Sequence, residues 1–150
     1  MTLLFAWLHH IAAFTLVAAL AVEMVLLQYP LEAPTILRLQ RADFVYGIAA
    51  LAILAAGFAR ALYFEKGWAW YAANPAFAWK LGAFLLTGLL SVYPTVRFMQ
   101  WRSQLRRGQS PTISAIDRRW LPRFVPVQLF LISIILACAI LMARGVGMAA

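Results

Sequence analysis

The chain has 150 residues, of which 65% are hydrophobic and only 12% charged, and its mean hydropathy is +0.82. A water-soluble domain of this length cannot hide so much apolar surface, so a bilayer is the expected solvent. Thirteen Lys and Arg against five Asp and Glu leave a net charge of +8. The arginines gather in the connections between apolar runs, where they orient spans and meet anionic lipid, and no basic face exists for nucleic acid.

Four apolar runs follow one another, each near the roughly 20 residues that cross a hydrocarbon core. The first covers 3–28 and ends at Pro30 and Pro34. It lacks a basic leader and its apolar stretch is longer than the core of a secretory signal, so it is read as a retained span. The second, "DFVYGIAALAILAAGFARALYF", covers 43–64, with "TILRLQRA" leading into it as a helical turn or two. The third begins near Pro75, a favourable first-turn position, and its span covers 76–101 with a kink expected at Pro94. The fourth covers 123–143 and has Pro126 close to its start. The only sizeable polar connection is "RSQLRRGQSPTISAIDRRW". These features predict an all-α, integral membrane four-helix bundle forming a single domain over 1–150.

Basic residues set the orientation. Arg38 and Arg41 lie in the first connection, and Arg97, Arg102, Arg106, Arg107, Arg118, Arg119 and Arg123 in the third. Arg60, Lys66 and Arg144 lie on the opposite side. Nine against three puts the first and third connections in the cytoplasm and both termini in the periplasm of a bacterial inner membrane. Trp68, Trp70, Tyr71 and Trp79 then form an outer aromatic belt. Cys138, the only cysteine, lies in an apolar helix as a small core residue.

Ionisable groups inside spans are expensive, about 2.5–3.5 kcal/mol each on insertion scales, so each one asks for a partner, a proton or a cavity. His9 and Glu23 are fourteen residues apart and therefore share a face, together with Ala12, Leu16, Ala19 and Leu20. That face meets stripes on the second span (Asp43, Tyr46, Gly47, Ala50, Leu54, Gly57) and the third (Lys80, Phe84, Thr87, Ser91, Thr95). Glu23, Asp43 and Tyr46 form a candidate inner proton relay. Glu23–Arg38 and Asp43–Arg41 ion pairs offer a purely structural alternative. His10 points more than about 100° away from Glu23, a position suited to interfacial packing.

At the outer end, a histidine facing an apolar cavity suits a b-type haem iron, with His9 as metal ligand and Arg60 and Lys80 as partners for the propionates. His10 is the remaining member of that candidate cofactor set. Adjacent histidines on a helix diverge by about 100°, so both cannot ligate one haem from a single chain. That leaves His9 alone, His9 with Lys80 or Met24, or one histidine from each of two chains.

The motifs "LHH", Glu23, "DFVYG", "GFAR", "EKGWAWYAANPAFAWK" and "LLSVYPTVRFMQWR" resemble those of a bacterial family of small four-helix membrane proteins of unassigned chemistry. More distantly, "LHHIAAFT", "RLQRADFVYGIAALAILAAG" and "AWKLGAFLL" resemble HemJ-type protoporphyrinogen oxidases and CopD-like copper-resistance membrane proteins. The HemJ likeness implies a haem-binding redox protein acting on porphyrinogen or the quinone pool. The arginine-rich loop, Glu23 and Asp43 have no clear counterpart in that pattern. The competing expectations are a small transporter or channel working as a homo-oligomer, and an accessory subunit of a larger membrane complex.

Overall fold

The structure, a computed structural model, describes residues 2–64 and 67–144. All its regular elements over these residues are helical. They are α1 (Thr2–Leu26), α2 (Ala33–Ala59, continued by one wider π turn at Arg60–Phe64), α3 (Trp68–Ala73), α4 (Pro75–Arg106) and α5 (Ala115–Ala143). Four of them, all but the short α3, are long and apolar enough to cross a membrane.

Three of the long helices, α2, α4 and α5, extend beyond the apolar stretch they contain, because polar ends outside hydrocarbon still close their own backbone hydrogen bonds. The clearest case is the third connection. Arg97, Arg102 and Arg106 belong to α4, Arg118, Arg119 and Arg123 belong to α5, and only residues 107–114 link the two helices. Local chemistry fixes those ends. Asn74 caps α4 by accepting from the Ala76 amide at 2.9 Å, with Pro75 in the first turn. At α5 a capping box forms between Ser114 and Asp117, so the helix starts nine residues before Phe124. Pro126 is therefore an interior residue of α5, as Pro122 is, and α4 continues through Pro94.

The helices pack as two hairpins, α1 against α2 and α4 against α5, joined where α2 meets α4 and α1 meets α5. The mid-bundle core is Leu16, Ala19, Leu20, Tyr46, Ala49 and Val125. A second cluster of Ile36, Leu39, Phe98, Trp101 and Leu121 closes the arginine-rich end. At the other end, Ala61, Tyr71 and Met142 seat α3 under the chain. Leu3, Phe14, Phe44, Leu51, Leu89 and Phe130 stand exposed on the outer faces. Such a girdle is untenable in water and is what lipid tails solvate.

Candidate functional site

Two carboxylates are buried on neighbouring helices towards the arginine-rich end. Glu23 lies one turn before the end of α1 and is 3% exposed; Asp43, ten residues into α2, is 6% exposed. Thr95 of α4 donates its hydroxyl to Asp43 Oδ1 at 2.6 Å. Glu23 Oε1 is buried with no hydrogen-bond partner. One turn further along α2, the buried Tyr46 comes within interaction range of Ser91 of α4, whose hydroxyl donates to the Gly88 carbonyl at 2.6 Å, and Tyr46 lies within the field of both carboxylates. Glu23 and Asp43 are themselves close enough for the charge of one to act on the other. The three relay candidates thus come together, ringed by hydroxyls.

The structural pairing of Glu23 with Arg38, and of Asp43 with Arg41, does not form. Arg38 and Arg41 are exposed, and the ion pair seen among the described residues is Arg97–Asp117. Arg41 is two residues from Asp43 and so points to the opposite face of α2. An interfacial guanidinium also keeps its water by turning outwards, whereas entering the core to reach a carboxylate strips both ions of hydration.

At the opposite end, half-buried His9 bridges α1 and α2. Its Nδ1 lies 3.2 Å from the Ile53 carbonyl oxygen, which can only accept, so Nδ1 is the donor and in the neutral ring Nε2 carries the lone pair. Gly57 makes room for the ring, since a Cβ there would stand 3.4 Å from His9 Cε1. Lys80 and Arg60 are near enough for their charges to act on the imidazole. His10 sits at the edge of this group, its ring set edge-on to that of His9 with centroids 6.0 Å apart. It is exposed, and its Nδ1 lies 2.6 Å from the Ala6 carbonyl of its own helix. The site residues therefore divide into a group at the arginine-rich end (Glu23, Asp43, Tyr46) and a group at the opposite end (His9, His10, Arg60, Lys80). His9 and Glu23 are about 21 Å apart along the axis.

Two polar features escaped the sequence reading. Gln128, buried in α5, donates to the Thr87 carbonyl of α4 at 3.2 Å. Asp117, fully buried, accepts from Tyr93, from Arg97 and from the backbone and hydroxyl of Ser114. The signal for Asp117 was present as "SAID", a cap three residues ahead of its carboxylate. For Gln128 it was a lone amide within an apolar run.

Residues 1–147 of the 150 match the family described as "Predicted membrane protein (DUF2214)". The chain belongs to the DUF2214 family. No curated protein and no solved structure matches it. The likeness to HemJ-type and CopD-like proteins rests on the sequence motifs alone.

Whether the DUF2214 fold suits a haem turns on His9. The donor chemistry fits, because an imidazole fixed through Nδ1–H to a carbonyl is the arrangement that orients a ligating Nε2. The space is less accommodating. A groove of about 500 Å³ between α1 and α2 is lined by residues such as Phe5, Leu8, Ala12, Ala52 and Ala56, and His9, Arg60 and Lys80 are not among them. Among the described residues, no three His, Cys, Asp or Glu side chains converge as a metal site.

Proposed function

We propose that this DUF2214 chain is a proton-handling membrane protein, with Glu23 and Asp43 as the proton-binding pair and Tyr46, Ser91 and Thr95 as the surrounding hydroxyl network. It works as a small transporter or channel in the bacterial inner membrane, assembled as an oligomer because four spans leave little room for a path within one bundle. The observation that carries this reading is the Glu23 side chain, 3% exposed with Oε1 unpartnered. A carboxylate anion held this way pays for desolvation without compensation, whereas a protonated carboxyl needs far less. Two like charges within reach of each other in a low-dielectric slab also repel, which favours a proton held between them. Thr95 secures Asp43 as the acceptor, so Glu23 is the group that loads and releases. By the positive-inside rule the pair lies in the cytoplasmic half, with both termini periplasmic.

The test is reconstitution into vesicles under an imposed pH gradient, with an internal pH dye, alongside infrared spectra of the carboxyl carbonyl stretch. The wild type should pass protons and show a protonated-carboxyl band that Glu23→Gln removes. A wild type lacking that band, or Glu23→Gln vesicles as permeable as the wild type, defeats the reading.

A second reading is favoured by the His9 tautomer. In it His9 would hold a b-type haem with Lys80 and Arg60 beside its carboxylates, and quinone or a porphyrin would be the redox partner. The bound group would supply electron transfer; the chain supplies orientation through Ile53 and charge through Lys80 and Arg60. An absorption spectrum of the purified protein decides it. A Soret band lost in His9→Ala supports haem, and a colourless, folded protein removes it.

A further inference from the structure

From the arginine-rich end we infer a binding surface for anionic phospholipid headgroups, centred on Arg118, Arg119 and Arg123 at the start of α5. This stands independently of the proton reading.

Depth is the first argument. The apolar part of α5, Phe124–Ala143, is about 30 Å long and fills the hydrocarbon core. Arg123 then stands at the hydrocarbon edge, Arg119 about 6 Å above it and Arg118 about 7.5 Å above it, within a headgroup layer roughly 5–8 Å deep. Trp120 stands between them at interfacial depth and is 46% exposed, with the Arg123 guanidinium 5.3 Å and the Arg119 guanidinium 6.0 Å from its ring. An aromatic ring with cations on its faces at this level is an interfacial anchor.

Charge is the second argument. Of the seven arginines between residues 97 and 123, Arg97 is committed to Asp117 and Arg102 donates to Gln40. The other five, Arg106, Arg107, Arg118, Arg119 and Arg123, are exposed. The only acidic residue in that stretch is Asp117, and its carboxylate is wholly buried and already saturated with donors. The segment therefore presents uncompensated positive charge at phosphate depth. A cleft of about 210 Å³ between the α1–α2 turn and α5, lined by Tyr29, Pro30, Arg118, Pro122 and Asp117, whose carboxylate is already paired with Arg97, gives one headgroup a seat beside Arg118. The occupant that meets this charge, this depth and the Trp120 anchor together is a lipid phosphate, since a soluble polyanion has no use for the depth or the anchor.

The test uses the full chain in nanodiscs of phosphatidylcholine with or without phosphatidylglycerol, read by thermal unfolding and by native mass spectrometry of retained lipid. Phosphatidylglycerol should be retained about tenfold over phosphatidylcholine, since each guanidinium near the surface contributes to anionic-lipid attraction. The preference should fall with added salt and vanish in the Arg118→Gln/Arg119→Gln/Arg123→Gln variant. It should survive in Arg144→Gln. Should the triple variant not fold, the salt titration of the wild type still decides. Equal retention of both lipids, a salt-insensitive preference, or equal stabilisation by inorganic phosphate or a single-stranded oligonucleotide overturns the inference.

Discussion

Replacing Glu23 by leucine separates a working carboxylate from a structural one, because the two roles predict opposite signs of stability change. The side chain is 3% exposed, and its Oε1 receives no donor. A buried polar oxygen left without a hydrogen bond costs about 1–3 kcal/mol in mutational data. Leucine has a similar length, and the surroundings already include Leu20, Met24 and Leu27. Glu23→Leu should therefore stabilise the protein, by about 1 kcal/mol at the low end, since a chain unfolded within lipid also finds partners for its polar groups. For 150 residues, each 1 kcal/mol shifts Tm by roughly 2–4 °C. The assay is thermal unfolding in detergent, followed by circular dichroism, with vesicle proton flux measured on the same preparation. The expected pair of results is higher Tm and lost flux, the usual trade of stability for function at a strained site. A fall of more than about 1 kcal/mol in Glu23→Leu would refute the reasoning, because it would mean that Glu23 makes contacts the fold needs. A cycle with Asp43→Asn then measures coupling, expected at about 0.5–3 kcal/mol for side chains within one polar network.

Three further outcomes follow from other parts of the molecule. Arg97→Met should cost about 3 kcal/mol in the same unfolding assay, because it strands the fully buried Asp117; the lower end applies since Arg97 is itself 23% exposed. Combining it with Asp117→Leu should recover part of that loss, and a double variant as unstable as the sum of the singles would argue against a coupled pair. Gly57→Val should displace the His9 ring and destabilise by about 1–3 kcal/mol, whereas Gly57→Ala, whose Cβ would stand 3.4 Å from His9 Cε1, should cost less; indistinguishable melting curves for wild type and Gly57→Val would show that the close approach is unimportant. Thr95→Val should leave Asp43 without its donor and lower stability by about 1–3 kcal/mol, while Ser91→Ala should do so by less, and reversal of that order would contradict the assigned bonding.

The fold class was legible because lipid allows few solutions: four runs of about 20 apolar residues must become four helices. The face shared by Glu23, Asp43, Tyr46 and Thr95 was also legible, since a 100° step per residue places side chains without any knowledge of the partners. What the 100° step does not give is rotation between helices. That is why Arg38 and Arg41, near Glu23 and Asp43 along the axis, looked like partners although they point outwards. Helix ends were the other blind spot. Hydropathy marks only the hydrocarbon-depth segment, so the Ser114–Asp117 cap, which starts α5 nine residues before Phe124, fell inside what reads as a polar loop. Gln128 was invisible for a simpler reason: one amide in an apolar run has no periodicity to betray it, and only the proximity of the Thr87 carbonyl explains it.

The molecule itself supplies the standard against which Glu23 is judged. Asp117 shows how this chain treats a carboxylate that exists for stability. It is wholly buried, yet Arg97 approaches through two nitrogens at 2.8 and 2.5 Å, Tyr93 donates at 2.7 Å, and the Ser114 amide and hydroxyl at 2.9 and 2.8 Å. Five donors, two of them from the Arg97 guanidinium, leave no lone pair idle, and the result ties α4 to α5. Asp43 receives a single hydroxyl bond from Thr95, and Glu23 Oε1 receives nothing. The same sequence places exposed arginines early in α2, at Arg38 and Arg41, and on the first turns of α5, but none of them turns in to meet Glu23. A carboxylate retained for packing could be replaced by leucine at no loss, and one retained for stability would have donors as Asp117 has. Glu23 has neither justification, and that contrast with Asp117 is the ground for proposing that it holds and releases a proton.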